Sequence, residues 1–151
     1  MKRIIKYTFI FTILSFNLYA QTEVEYYNSG YQKSLVDNYD GAIKDFNNAL
    51  VINSNYTKAR IGRAFCFQKL MDKENDKNAK SVYYVLCIKD LDYLISQTED
   101  NRYITLRGNT HYSWYLYSKN TKYRTLACAD WKRAYALGDI KAGEFLTDYC
   151  K

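Results

Sequence analysis

The chain has 151 residues, of which 48% are hydrophobic and 25% charged, with 22 Lys and Arg against 16 Asp and Glu for a formal net charge of +6. That balance is globular and excludes a collagen-like chain, a long disordered chain and a multi-span membrane protein. Two counts stand apart, no proline and 17 tyrosines, and a proline-free chain of one-domain length suits helices joined by short turns.

Residues 1–20 read as a secretory signal peptide. Lys2, Arg3 and Lys6 form a basic start, an apolar run follows from Tyr7 to Leu14, and Leu18-Tyr19-Ala20 ends on a small residue. The apolar run is shorter than the ~20 residues a membrane span needs. The expectation is cleavage after Ala20, a mature chain starting at Gln21 and no membrane span after the cut. No cysteine lies nearby, so a lipid anchor is not expected. Residues 1–20 hold three basic groups and no acids, which leaves the mature chain 19 basic against 16 acidic residues, a net charge of +3. A nucleic-acid partner asks for a clustered basic face, and none is expected here.

Beyond the leader, the apolar spacing predicts seven helices, near 23–37, 40–52, 56–71, 79–97, 101–118, 122–137 and 139–150. The first carries Tyr26, Gly30 and Lys33 on one face. The second starts at Asp40 as N-cap and contains Ala42-x-x-Asp45-Phe46-x-x-Ala49. Arg60, Ala64 and Phe67 share a face of the third. A polar run, Asp72 to Asn78, has no apolar period and reads as an inserted loop. The fourth helix repeats the pattern of the second as Cys87-x-x-Asp90-Leu91-x-x-Leu94. The fifth holds Ile104, Gly108 and His111, and a second insertion is expected around Ser118 to Thr121. The sixth gives a third copy, Ala127-x-x-Asp130-Trp131-x-x-Ala134. Gly138 is a helix stop, and Asp139 caps a last short helix. That helix turns Ala142, Phe145, Leu146 and Tyr149 inward as a lid, with Lys141, Glu144, Thr147 and Asp148 outside. In each copy the small, large and small or apolar residues fall on one helix face. Asp45, Asp90 and Asp130 point off that seam and are expected at the surface, solvated or locally hydrogen-bonded.

Ala42, Phe46 and Ala49 lie 12, 16 and 19 residues after Gly30, and Ala64 lies 34 after it. In these residues the chain resembles the tetratricopeptide repeat family, whose 34-residue helix pairs place a small residue in the first helix and Ala, an aromatic and Ala in the second. The likeness runs over about residues 24–151, with Ser54 where the family has proline and with longer second and third repeats. It implies an all-α solenoid of about three helix pairs with a C-terminal capping helix, spanning 21–151. It also implies a concave groove lined by first-helix residues: Tyr27, Tyr31 and Ser34, then Lys58, Ile61, Phe65 and Gln68, then Arg102, Thr105, Asn109 and Tyr112. The family's carboxylate clamp needs Lys and Asn where Tyr27 and Tyr31 stand. An apolar or mixed peptide is therefore expected in place of an acidic chaperone tail.

Four cysteines allow three pairings, and an exported chain meets an oxidising compartment. Cys128 in the second helix of the third repeat and Cys150 at the end of the lid helix both lie far from their joining turn, so a Cys128–Cys150 disulfide is expected. Cys87 occupies a small-residue slot and reads as a buried free thiol, with the state of Cys66 left open. His111 is the only histidine and reads as an ordinary helix residue near Trp114. No nucleophile motif, phosphate loop, cofactor motif or metal-ligand spacing is present. The Lys-, Tyr- and Asn-rich composition points to an AT-rich bacterial genome. The expected role is a non-enzymatic interaction module or adaptor in the periplasm or cell envelope, or secreted beyond it, holding a protein or peptide segment in the groove without cofactor or metal. The alternative is a self-associating structural subunit of an envelope assembly.

Overall fold

The computed structural model describes residues 21–151. The expected leader, residues 1–20, lies outside the described residues. Those described form seven α-helices and no strand: α1 (Glu23–Leu35), α2 (Tyr39–Ile52), α3 (Thr57–Lys73), α4 (Lys77–Gln97), α5 (Asn101–Ser118), α6 (Thr121–Ala136) and α7 (Ile140–Tyr149). The all-α expectation and the seven elements hold.

The helix ends have local causes. Thr22 caps α1 in a reciprocal box, its hydroxyl accepting from the Glu25 N–H while the Glu25 carboxylate accepts from the Thr22 N–H. Asn38 caps α2 in place of the expected Asp40, accepting from the Gly41 N–H at 3.1 Å. The turn before it is made by Asp37, whose φ of 62° is a left-handed conformation. Asp76, Asp100, Asn120 and Asp139 cap α4 to α7 in the same way. Gly138, with φ 92°, ends the α6 turn as expected.

The two expected insertions are not loops. Only residues 74–76 separate α3 from α4, and only 119–120 separate α5 from α6. The extra residues lengthen the helices instead: α3 and α4 have 17 and 21 residues where α1 and α2 have 13 and 14. Asp72 and Lys73 continue α3, and Lys77 opens α4 behind the Asp76 cap.

Each helix packs on its neighbours in the chain, and α1 also meets α3. The buried side chains fall into three small cores. Phe46, Ala42 and Ala49 of α2 pack on Ala59 and Cys66 of α3. Leu91, Leu94 and Cys87 of α4 pack on Ala64 and Phe67 of α3 and Tyr103 of α5. Trp131, Ala127 and Ala134 of α6 pack on Ile104 of α5 and Ala142 of α7. Each core thus extends from one helix pair into the first helix of the next. Close approach demands small residues at these seams. A Cβ on Gly62 would lie 2.6 Å from the Phe46 ring, and one on Gly108 would lie 2.8 Å from Trp131.

Asp45, Asp90 and Asp130 are not surface residues. All three are buried, and each takes an ion pair from the preceding helix. Lys33 reaches Asp45 at 2.6 Å. Arg63 holds Asp90 through two bonds, at 2.8 and 2.6 Å, and Arg60 adds a third at 3.3 Å. Arg107 holds Asp130 at 2.9 and 2.6 Å. The remaining terminal nitrogen of each fork reaches one pair back, from Arg63 to Asn47 at 2.6 Å and from Arg107 to Asp92 at 2.7 Å. Asn47 and Asp92 each lie two residues past their own pair's Asp, so the two arginines make the same bridge one unit apart. The position one residue before the large apolar group is on the helix flank that faces the preceding helix. There a carboxylate becomes buried and must be paired.

The Cys128–Cys150 disulfide is formed, tying α6 to the end of α7 across a Cα–Cα distance of 5.8 Å. Cys66 and Cys87 are free and buried, and burial pushes both thiols up to about 12. Among the described residues no helix is long and apolar enough to cross a membrane.

A candidate binding cleft between the first helices

A cleft of about 500 Å³ opens between α1 and α3. Its near wall is Tyr27, Tyr31, Ser34 and Leu35, successive turns of one α1 face. Its far wall is Ile61 and Phe65 of α3. Phe46 and Gly62 form the floor, and Asp37 and Tyr39 close the end at the α1–α2 turn. The walls are held by ring contacts. Tyr27 lies between Tyr31 and Phe46, with centroid distances of 6.1 and 5.9 Å, and meets Tyr56 edge-on at 5.7 Å. Tyr39 meets Phe65 edge-on at 6.5 Å. Tyr31 and Phe65 nevertheless keep 47% and 39% of their surface exposed, an uncovered pair of aromatic rings on facing helices. Burial, with the nearby Tyr56 and Tyr31 adding to it, holds the Tyr27 phenol above its ordinary range, so it stays uncharged at neutral pH.

The end of the cleft is polar. The Tyr39 hydroxyl donates to Asp37 at 2.5 Å, and Lys73 bonds the other carboxylate oxygen at 2.9 Å. The hydrogen bond from Tyr39, then that from Lys73, lowers the Asp37 carboxyl below its usual range, which keeps it ionised.

Of the residues expected in the groove, Tyr27, Tyr31, Ser34, Ile61 and Phe65 meet in this cleft. Lys58 is exposed and Gln68 half-buried elsewhere on α3. The third-pair set is engaged by the chain itself. Arg102 pairs with Asp100 at 2.6 Å. Thr105 donates to the α7 cap, Asp139, at 2.5 Å. Asn109 accepts from the Trp131 indole at 2.9 Å. The ring of Tyr112 lies 4.7 Å from that of Tyr149 on α7 and 5.3 Å from that of Trp131. Sequence reasoning missed Leu35, Asp37, Tyr39 and the Phe46 floor. The pair Asp37-Asn38, a left-handed residue and a cap, was the available signal for a turn there.

His111 is buried and bonded to the Tyr84 hydroxyl at 2.8 Å, with Asp130 3.8 Å from its other nitrogen. Burial lowers its pKa, so the ring is neutral and serves packing between α4, α5 and α6. It lies outside the cleft. No group of three or more His, Cys, Asp or Glu side chains that would hold a metal is present among the described residues.

No protein-family model matches the chain. No curated protein matches it, and no solved structure does.

Proposed function

We propose that the protein is an exported, tetratricopeptide-like α-solenoid that acts as a non-enzymatic interaction module in a bacterial periplasm or envelope, gripping a segment of a partner protein in the α1/α3 cleft. The observation that carries this reading is the pair of exposed aromatic side chains, Tyr31 of α1 and Phe65 of α3, lining one preformed cleft with Phe46. Aromatic rings at low entropy cost are efficient anchors for a partner segment. The solenoid reading is supported by small cores each built from neighbouring helices along the chain and by arginine bridges that recur one unit apart. Export is supported by the leader-like residues 1–20 and by a disulfide that suits an oxidising compartment.

Crosslinking followed by affinity capture from the native envelope tests the reading. One dominant partner, lost in Tyr31→Ala/Phe65→Ala protein of unchanged helicity, is the expected result. Capture unaffected by the double substitution would remove the cleft from the function.

One observation favours self-association instead. Among the described residues no helix covers the outer side of α7, where Ile140 is 77% exposed near Tyr135. A shallow depression of about 440 Å³ runs along it. Sedimentation that shifts with protein concentration and is abolished by Ile140→Glu would support that second reading.

A further inference from the structure

The cleft described above is lined by a single charged residue, Asp37, set among aromatic rings. Two lysines near the C-terminal end of α3 already exploit this surface from outside. The Lys73 ammonium bonds Asp37 at 2.9 Å while lying 4.8 Å from the centre of the Tyr39 ring. The Lys69 ammonium sits 5.3 Å from the centre of the Phe65 ring. Lys73 therefore occupies a position defined by one carboxylate and one aromatic face. Its hold is weak: the two side chains of the pair are 56% and 65% exposed, and an ion pair that open to water is worth little. Another cation can take its place at small cost, the freed Lys73 ammonium turning back to water, where its charge is screened.

The same combination occurs elsewhere in the molecule with an arginine as the cation. The Arg60 guanidinium carbon lies over Tyr93, 3.7 Å from the ring centre, while a terminal nitrogen bonds the Asp90 carboxylate at 3.3 Å. A planar guanidinium satisfies both demands at once, stacking on a ring and forking onto a carboxylate, in a way an ammonium does not.

We propose that the cleft receives an arginine side chain of the partner segment, stacked between Tyr31 and Phe65 with its guanidinium on Asp37 in place of Lys73. This rests on the binding-cleft reading above and adds to it the chemistry of the anchor. Tyr27 and Phe46 would bound the apolar stem of the arginine, and the Tyr39 hydroxyl holds one Asp37 carboxylate oxygen at the end of the cleft, leaving the other, now on Lys73, for the guanidinium.

The probes are four acetylated, amidated pentapeptides, Gly-Ser-Xaa-Ser-Gly, with arginine, citrulline, leucine or glutamate at the centre. Citrulline has the shape of arginine without the charge. Binding is followed by the aromatic NMR signals of Tyr31 and Phe65. The arginine peptide is expected to bind about fivefold or more tighter than the citrulline peptide, the range a partly exposed cation–aromatic contact gives. Asp37→Asn, whose side chain tolerates the left-handed turn, and Tyr31→Ala should each remove that preference. Lys73→Met should tighten arginine binding, since it deletes the internal competitor. Equal binding of arginine and citrulline peptides, or weaker arginine binding in Lys73→Met, overturns the proposal. A leucine peptide that binds best, at the same Tyr31 and Phe65 signals, overturns the cationic anchor while leaving the cleft reading intact. Loss of partner capture in Tyr31→Ala/Phe65→Ala protein tests that reading separately.

Discussion

Arg107 grips Asp130 with two parallel bonds and spends its third nitrogen on Asp92, the residue two positions beyond the equivalent aspartate of the preceding helix pair. Arg63 does the same to Asp90 and Asn47. A single side-chain type therefore ties each second helix to its own first helix and to the unit before it. Among the described residues no helix pair precedes the first. Ser29 stands in the residue slot of Arg63 and Arg107, and Lys33, one turn on, neutralises Asp45. Two residues beyond Asp130 the chain has Lys132, which offers no acceptor to a further arginine, and α7 carries none.

Arg107→Met is expected to cost about 2–3 kcal/mol, because it strands a buried carboxylate. Arg107→Met/Asp130→Leu should recover part of that loss, since both charges are then gone. Lys33→Met should cost less than Arg107→Met, because Lys33 makes one bond to Asp45 where Arg107 makes two to Asp130, and the Lys33 side chain is 38% exposed. Urea unfolding of the four proteins measures this. Equal losses at Lys33 and Arg107 would show that the fork geometry adds nothing.

Reduction of Cys128–Cys150 should lower stability by roughly 3 kcal/mol on the chain-entropy estimate for a loop of this size, with cysteines 22 positions apart. The loss should appear first as faster hydrogen exchange in α7. Thiol labelling gives a second readout. The native protein should not react near neutral pH, because Cys66 and Cys87 are buried and pushed up to about 12. In denaturant two thiols should react before reduction, and all four after it.

His111 gives a pH signature. Burial, the largest influence, depresses its folded-state pKa below the ordinary 6.5, against the opposing pull of Asp130. The unfolded chain therefore binds the proton first. The stability due to the neutral ring is complete above about pH 6.5 and falls as the pH drops from there toward the folded-state value. His111→Gln should flatten the dependence of unfolding free energy on pH between 6.5 and 5 while leaving the steeper carboxylate region below 5. A slope unchanged by the substitution would remove this assignment.

Gly62→Ala sets two effects against each other. Alanine favours a helix by about 1 kcal/mol over glycine, but its Cβ would stand 2.6 Å from Phe46, beneath the cleft. Displacing a packed ring costs about 1–3 kcal/mol, so net destabilisation is expected. The Tyr27 and Phe65 ring signals in the NMR spectrum should shift with it. A variant more stable than the parent would mean that Phe46 has room to move.

Much of the fold was legible because helical order is local. The Ala42, Phe46, Ala49 spacing and its two echoes name the faces that meet, and Asp139 and Gly138 mark a boundary by their own backbone chemistry. The Cys128–Cys150 pair followed from two helices joined by a short turn. The insertions misled because a polar stretch such as Asp72 to Asn78 is compatible with both a loop and the exposed ends of two longer helices. Hydrophobic period cannot separate the two when neither side is covered.

The sequence by itself determined the seven helices, their small-residue seams and the disulfide, since each depends on neighbours within about a turn or across one short connection. Only the tertiary structure decided what Asp45, Asp90 and Asp130 do, because their cations lie 12 to 30 residues away on another helix. It also decided which aromatic residues remain open. Tyr112 and Tyr31 both read as groove residues, yet α7 lies against one and leaves the other exposed. Exposure is a property of what else occupies the space, and no periodicity along a single helix encodes it.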